Sequence, residues 1–198
     1  MSMRILVVGA TGTIGRAIVA ALSPKHEVVS ASRSQASVSV DISDPASIRE
    51  MYAKVGPLDA VVSAAGATRR RPFAELTDDD YDFSLRNKLM GQVNLVRYGI
   101  DSVADKGSFT LTGGILGREP IPGGEAISMA NLALEGFARA AALDLPRGLR
   151  VNVVSPPWVT ETVQELRLAG VMSLPAALVA EAYVRAAEGN QNGQVIVP

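Results

Sequence analysis

The sequence predicts an α/β fold: a three-layer, doubly wound parallel sheet of about seven strands, the Rossmann fold, in a single domain over residues 1–198. Three observations predict it. Short β-branched runs alternate with longer stretches of helical spacing along the chain. A length of 198 residues with 47% hydrophobic residues suits one domain with a sizeable core. A glycine-rich turn joins the first strand to the first helix.

The individual elements follow from local signals. The first apolar run, residues 5–8, ends at Gly9 and is typical of a buried strand. It is far too short to span a bilayer, which takes about 20 residues. Pro45 after Asp44 predicts a helix start, and Gly148 closes an Ala-rich helix. The predicted strands are residues 4–8, 27–30, 38–40, 58–63, 108–112, 150–154 and 194–197. The predicted helices are residues 13–22, 45–55, 78–103, 126–145 and 175–188.

Composition excludes several classes of function. With 19 Lys and Arg against 20 Asp and Glu, the net charge of −1 gives no electrostatic footprint for nucleic acid or an anionic membrane. The absence of Cys excludes disulfides, thiolate metal sites and a Cys nucleophile. A single His, His26, argues against a metal site or a Ser-His-Asp triad. With no export signal, we expect a cytoplasmic protein without a nucleic-acid, membrane or metal partner.

The glycine-rich turn has the spacing G-x-x-G-x-x-G. Its glycines permit a tight turn and a close backbone approach to a pyrophosphate, and the following helix presents free N–H groups to that anion. The turn therefore predicts a dinucleotide site, the alternative being a glycine turn that serves only packing. The predicted cofactor-binding residues of this turn are Gly9, Thr11, Gly12, Thr13, Ile14 and Gly15.

The end of the second strand indicates which dinucleotide binds. NAD proteins usually place an acidic residue about 20 positions after the glycines, to hold the ribose 2′-hydroxyl. Nothing acidic occurs between Glu27 and Asp41. Arg33, flanked by Ser32 and Ser34, suits a 2′-phosphate through charge-assisted hydrogen bonds, unless it is simply a solvated surface residue. NADP is therefore predicted in preference to NAD.

Several stretches, covering nearly the whole chain, resemble one known family. These stretches are residues 9–15, 41–42, 58–66, 134–137 and 146–157. Together they resemble the short-chain dehydrogenase/reductase family, although Ser63 replaces the first Asn of that family's Asn-Asn-Ala-Gly strand and Pro157 replaces the Gly of its Pro-Gly pair. The resemblance implies contacts with adenine, a floor beneath the cofactor and a nicotinamide end. The residues implied are, respectively, Asp41 and Ile42; Ser63, Ala64, Ala65 and Gly66; and Pro156, Pro157 and Val159.

The family's catalytic residues are mostly replaced in this chain. The resemblance implies an Asn, a Ser and a Tyr-x-x-x-Lys, but none of the four tyrosines has a lysine four positions later. Ile127 falls at the tyrosine position, Asn131 at the lysine position and Gly114 at the serine position. Lys88 falls at the asparagine position with Asn87 beside it, and the sequence leaves open which of the two takes that place.

Two other side chains are candidates for the missing chemistry. Lys88 could donate a proton or stabilise a developing alkoxide, unless it is a solvated charge on a long helix. Thr112 lies two residues before Gly114, so strand alternation places both on one face of the sheet. The Thr112 hydroxyl is therefore a candidate to hold the substrate oxygen, unless Thr112 is only a β-branched strand residue. Asn131 could still bind the nicotinamide ribose. The run Arg69–Arg71 is either an anion-guiding rim or a solvated face.

Two functions follow from these residues. The first is an NADP-dependent short-chain oxidoreductase that reduces a small carbonyl or an activated double bond with a non-standard proton donor. The alternative is a catalytically silent NADP-binding sensor or regulatory protein of the same fold. The expected partners are NADP(H), a small-molecule substrate and, from the resemblance, further copies of the chain in a homodimer or homotetramer.

Overall fold

The computed structural model describes residues 1–198. Its strands are β1 Arg4–Val8, β2 Glu27–Ser32, β3 Val38–Ser39, β4 Leu58–Ser63, β5 Val103–Thr112, β6 Arg150–Val154, β7 Trp158–Val159, β8 Ser173–Leu174 and β9 Val195–Ile196. Its α-helices are α1 Thr13–Leu22, α2 Pro45–Val55, α3 Asp78–Ser84, α4 Gly91–Gly99, α5 Glu125–Ala141, α6 Thr160–Glu165 and α7 Ala176–Glu188. No helix is both long and apolar enough to cross a membrane.

Seven parallel strands form the central sheet in the order β3-β2-β1-β4-β5-β6-β9, which confirms the predicted doubly wound sheet. The chain runs outward from β1 in one direction and then returns to continue from β4 in the other. The connections that leave the carboxyl ends of β1 and β4 therefore run in opposite directions and open a crevice, where such sheets bind ligands. A separate two-stranded pair, β7 and β8, was not predicted.

Apolar side chains cover both faces of the sheet. Along β1, Leu6 and Val8 belong to one buried cluster and Ile5 and Val7 belong to the other, as strand alternation requires. The first cluster continues into α2, α4 and α5, and the second into α1 and α7. Because both faces are buried, the strand reads as a continuous hydrophobic run rather than an alternating one.

The predicted helix over residues 78–103 is the least accurate of the predicted elements. It begins as predicted, with a reciprocal hydrogen-bonded cap between Thr77 and Asp80, but residues Leu85–Met90 between α3 and α4 are π-helical. Its α-helical part ends at Gly99, and Val103 already pairs with Leu58 as the start of β5. These five residues of strand were missed because Asp105 and Lys106 interrupt the apolar pattern and the register with β4 is irregular. Other predicted boundaries shift by four residues or fewer.

Candidate functional site

The three glycines of the turn have different structural roles. Gly9 has a φ of 83°, and a Cβ there would lie 2.8 Å from the backbone of Ala64 in the neighbouring strand connection. A Cβ at Gly15 would lie 2.0 Å from the Gly9 carbonyl oxygen, so this glycine lets α1 pack against the turn. At Gly12 the nearest atom would be 3.4 Å away, which leaves an open side. Only Gly12 therefore keeps space free for a ligand rather than for the fold.

The amino end of α1 is open to an anion. Gly12 is its N-cap, no side chain caps the helix, and its first turn contains no acidic residue. The first N–H groups of a helix have no intrahelical acceptor and carry a partial positive charge. Thr13 and Ile14 can therefore offer their N–H groups to a phosphate at this turn.

A cavity of about 220 Å³ lies at the carboxyl ends of β1, β2 and β4. It brings together most of the residues predicted to bind the pyrophosphate and adenosine parts of a dinucleotide. Those that line it are Gly9, Thr11, Gly12, Ser32, Arg33, Asp41, Ile42, Ala64, Ala65 and Gly66. Val8, Val40, Ala67 and Asn87 also line it and were not predicted. Val8 and Val40 are the last residues of the predicted strands 4–8 and 38–40, so their place at this edge of the sheet could have been predicted from the sequence.

The polar groups of this cavity include two hydroxyls, a guanidinium and a carboxylate. The hydroxyls of Thr11 and Ser32 are 2.7 Å apart, and Arg33 is exposed and forms no ion pair with a carboxylate. Asp41 accepts hydrogen bonds from the N–H and hydroxyl of Ser43, at 2.9 and 2.7 Å. The pKa of Asp41 is lowered, mainly by the hydrogen bond from the Ser43 hydroxyl and to a smaller extent by the nearby Arg33.

Four predicted cofactor contacts, Thr13, Gly15, Ser34 and Ser63, line neither this cavity nor the cleft at the ends of β5 and β6 described next. Gly15 is buried by the packing of α1, and Ser34 is exposed beyond the cavity. Ser63 is fully buried beneath the floor, with its hydroxyl unpartnered, and supports the site through its carbonyl oxygen. The structure places Gly15 and Ser63 inside the fold rather than on the crevice, whereas the predicted contacts of Thr13 and Ser34 stay predictions.

A second cleft, of about 200 Å³, lies at the carboxyl ends of β5 and β6. It contains all the residues that stand at the family's catalytic positions, together with the predicted nicotinamide end. These residues are Ile14, Lys88, Thr112, Gly114, Ile127, Asn131, Pro156, Pro157 and Val159. The remaining lining is Gly113, Ile115, Leu116, Trp158 and Thr162, so Lys88 is the one charged residue in the cleft.

Lys88 is half-buried, and its Nζ donates a hydrogen bond to the Gly113 carbonyl at 3.0 Å. No carboxylate lies within ion-pairing distance, and burial lowers the pKa of Lys88 to about 8. Asn87 instead accepts a hydrogen bond from the Ala67 N–H at 2.8 Å and lines the dinucleotide cavity. Lys88 therefore faces the cleft and is not a solvated surface charge, whereas Asn87 faces the dinucleotide cavity.

The Thr112 hydroxyl is committed to the protein interior. It donates to the Ser63 carbonyl and lies 2.7 Å from the Tyr183 hydroxyl on α7, where burial raises the pKa of Tyr183. The predicted role of Thr112 as holder of the substrate oxygen is therefore wrong. β5 ends at Thr112, and Gly114 has a φ of 155°, so the strand alternation used for the prediction does not continue to Gly114.

Asn131 offers one unused hydrogen-bonding atom. Its Nδ2 donates to the Gly114 carbonyl at 3.2 Å, whereas its Oδ1 is buried and has no partner. Buried polar atoms normally find partners, and a ribose hydroxyl could supply one. The glycine cradle, the open α1 terminus and this acceptor together fit a nicotinamide dinucleotide. No cluster of His, Cys, Asp or Glu in the chain could hold a metal ion.

A buried ionic network was not predicted. Glu135 on α5 is only 2% exposed, accepts from Ser155 Oγ at 2.9 Å and pairs with Arg118 at 2.8 Å. Ser155 in turn accepts from the Gly114 N–H at 3.4 Å. An acidic residue between the buried Leu134 and Ala138 was a signal that could have revealed it, since isolated charges are rarely buried.

The arginine run is largely engaged by its neighbours. Arg69 stacks on the ring of Phe83 at 4.2 Å, and Arg71 pairs with Asp80 at 3.3 Å. Arg70 makes only long contacts of 3.4 Å to the Pro122 carbonyl. Of the predicted anion-guiding rim, Arg70 alone keeps a guanidinium without a carboxylate or aromatic partner.

Comparison with known proteins identifies the family. A family model described as enoyl-(acyl carrier protein) reductase matches residues 12–191. The chain belongs to the short-chain dehydrogenase/reductase family. Short-chain dehydrogenases/reductases bind a nicotinamide cofactor, which agrees with the geometry of the two cavities.

Relatives in the short-chain dehydrogenase/reductase family carry reductase names. The 3-oxoacyl-[acyl-carrier-protein] reductase FabG of Haemophilus influenzae is 26% identical, over 89% of this chain and 84% of its own. Hydroxynaphthalene reductase arp2 of Aspergillus fumigatus is 31% identical over 57% of this chain, and the chain spans only 41% of that protein.

The fold of this short-chain dehydrogenase/reductase is similar to those of solved structures. The crystal structure of lin1944 from Listeria innocua is 44% identical, with a TM-score of 0.96 over 99% of both chains. A small-chain dehydrogenase in complex with NADPH is 24% identical, with a TM-score of 0.88 over 100% of this chain and 97% of that one, and shows the shared fold.

Proposed function

We propose that the protein is an NADP-dependent oxidoreductase that reduces a small carbonyl or an activated double bond, with Lys88 as the proton donor. The observation that carries this proposal is the position of Lys88 in the cleft at the ends of β5 and β6, which we name the reaction cleft. Its Nζ lies 3.0 Å from the Gly113 carbonyl and has no counter-ion. Reductase relatives and the cradle for a dinucleotide support the same conclusion.

The choice of NADP is supported by the end of β2. Arg33 and Ser32 line the cavity, and no acidic residue occurs on this strand end to bind a ribose 2′-hydroxyl. Arg33 has no ion-pair partner, so its guanidinium is available for a 2′-phosphate.

The residues of the cleft have separate tasks in this proposal. The reduced dinucleotide, when bound, supplies the hydride. Lys88 Nζ holds the proton and donates it to the substrate oxygen as negative charge develops there. The Gly113 carbonyl orients Nζ, and Asn131 holds the ribose. Ile127, Ile115 and Leu116 exclude water from the substrate.

The alternative function, a catalytically silent NADP-binding sensor or regulatory protein, also has a specific observation in its favour. Gly114 and Ile127 stand at the serine and tyrosine positions, and neither has a side chain that can bind or protonate a substrate oxygen. Such a protein would keep the dinucleotide cavity while lacking turnover.

One experiment separates the two functions. NADPH and NADH affinities are measured by fluorescence titration, and NADPH oxidation is then followed with a panel of ketones, quinones and enones. We expect tight NADPH binding and turnover of at least one substrate class, with Lys88→Met strongly impaired. NADPH binding without turnover of any of these substrates would refute the enzyme and support the sensor.

We also propose that the protein is a homodimer or homotetramer formed through α4 and α5. The helix α5 and the segment before α4 expose large apolar side chains: Met129 is 48% exposed, Leu132 46% and Met90 39%. Burial of such side chains against a second copy would stabilise the assembly. The cytoplasmic location stays a prediction.

A further inference from the structure

The reaction cleft surrounds an amine with apolar groups. Beside Lys88, its lining includes Ile115, Leu116, Ile127 and Trp158, and no lining residue other than Lys88 carries a charge. No carboxylate forms an ion pair with Lys88. Its protonated form is stabilised by one carbonyl bond alone.

The stem of this lysine is held in place. Lys88 lies on the π-helical segment, and its Cα, Cβ and Cγ pass Gly66 so closely that a Cβ there would come within 3.1 to 3.3 Å of them. The Gly113 carbonyl holds the other end of the side chain at Nζ. A clamped stem loses little conformational entropy when its amine reacts.

Burial favours the neutral, nucleophilic form of this amine. Burial lowers the pKa of Lys88 to about 8, whereas an exposed lysine has a pKa of about 10.4. At a given pH the neutral amine is therefore more abundant for Lys88 than for an ordinary lysine. Desolvated lysines in apolar pockets form Schiff bases with carbonyl compounds.

We infer that Lys88 Nζ is a covalent capture site for aldehydes and activated ketones, which it binds as an imine in the reaction cleft. This inference rests on the proposed function in one respect, namely that carbonyl compounds enter this cleft. The proton-donating role uses the ammonium form of Lys88, and the capture role uses its neutral form.

The step is balanced without an oxidant or a reductant. The Nζ lone pair forms a C–N bond to the carbonyl carbon, and the C=O π electrons move to oxygen, which takes a proton to give a carbinolamine. Nitrogen loses both of its protons, the first to that oxygen and the second to the departing hydroxyl, so a C=N bond forms, the C–O bond breaks and one water leaves. The sum is one amine plus one carbonyl giving one imine plus one water, and hydrolysis reverses it.

Reductive trapping tests this inference with the full chain and without NADPH. The protein is incubated with benzaldehyde at several pH values and reduced with sodium borohydride, and peptides from a digestion that does not cut at lysine are analysed by mass spectrometry. Lys25, Lys54 and Lys106 are exposed and serve as internal controls. At pH 8 we expect Lys88 to be labelled with a benzyl group at least about tenfold faster than these three lysines.

Variants sharpen the assignment. Lys88→Met and Lys88→Arg should abolish the fast labelling, because neither side chain forms an imine, whereas Lys54→Met should leave it unchanged. The labelling rate of Lys88 should rise with pH to a plateau above about 8. Labelling of Lys88 no faster than that of Lys54 and Lys106 in the unmodified protein would overturn the inference, and this comparison does not depend on any variant folding.

The result is distinguishable from the test of the proposed function. Fast Lys88 labelling in a protein that never oxidises NADPH would support capture and refute the oxidoreductase. NADPH turnover without preferential labelling would support the oxidoreductase and refute capture.

Discussion

Lys88 concentrates the chemistry of the site in one side chain. Its proposed role as acid requires the protonated form, and burial lowers its pKa to about 8. Because the ammonium form is lost as pH rises through that value, we expect kcat to be constant below about pH 7 and to fall above about pH 8. The measurement is NADPH oxidation under substrate saturation from pH 6 to 10.

Two variants provide the controls for this pH profile. Lys88→Met should lower kcat by about 10²- to 10⁴-fold, the usual value of a general acid. Lys88→Arg keeps the positive charge but does not titrate in this range, so residual activity should show no fall near pH 8. A wild-type profile that is flat across pH 8 would remove Lys88 from the proton transfer.

Arg33 is the residue on which cofactor choice depends. We expect Arg33→Ala to weaken NADPH binding by roughly 10- to 100-fold, since a hydrogen bond to a charged group contributes about 1.5–3 kcal/mol. NADH lacks the 2′-phosphate, so its affinity should be unchanged. Fluorescence titration measures both, and Arg185→Ala, an exposed arginine on α7, is the matched control. Equal losses for the two cofactors would refute the assignment.

At the scale of elements, the first turn of α1 separates a packing requirement from a binding one. Gly15→Ala would place a Cβ 2.0 Å from the Gly9 carbonyl oxygen, so we expect it to lower the free energy of unfolding by about 1–3 kcal/mol. Gly12→Ala meets nothing closer than 3.4 Å and should unfold like the parent, within about 0.5 kcal/mol.

The same two variants should differ in the opposite sense in binding. Gly12→Ala places a methyl group on the open side of the turn, where a pyrophosphate would approach the backbone, and should weaken NADPH binding despite normal stability. Urea unfolding and fluorescence titration measure the two effects. Unimpaired NADPH binding by Gly12→Ala would support the alternative that the turn serves packing alone.

Glu135 connects three elements around the cleft. It joins α5 to Ser155 after β6 and to Arg118 beside the turn that carries Ile115 and Leu116. Glu135→Gln keeps the shape but removes the charge opposite Arg118, so we expect a loss of about 1–3 kcal/mol in urea unfolding and a raised KM as the cleft wall loosens. Glu181→Gln, exposed on α7, is the control. Identical unfolding of Glu135→Gln and wild type would show that the network contributes nothing to stability.

At the scale of the whole molecule, the sheet topology places both cavities at one edge. Divergence of the chain from β1 and β4 opens the dinucleotide cavity, and the ends of β5 and β6 open the reaction cleft beside it. The two cavities can therefore accommodate two ends of one extended cofactor.

The proposed assembly is tested at this scale. Met129→Glu combined with Leu132→Glu would place two carboxylates in the predicted interface, so we expect a dimer or tetramer to dissociate to monomers. Both residues are about half exposed in the isolated chain, so the fold itself should tolerate the change. Light scattering after gel filtration gives the mass, and a wild-type mass of one chain at micromolar concentration would refute the proposal.

The sequence by itself determined the sheet, the dinucleotide turn and the location of Lys88 near the reaction cleft. The sheet and the turn depend on local signals, namely hydrophobic periodicity, glycine spacing and the alternation of strands with helices, whereas the location of Lys88 followed from the family resemblance. Only tertiary structure decided that the Thr112 hydroxyl is used by Tyr183, that the π-helical segment directs Lys88 and Asn87 to different cavities, and that Glu135 is buried beside Arg118. The physical reason is that a polar side chain bonds to whichever groups the fold brings within about 3 Å, and those groups come from distant parts of the chain.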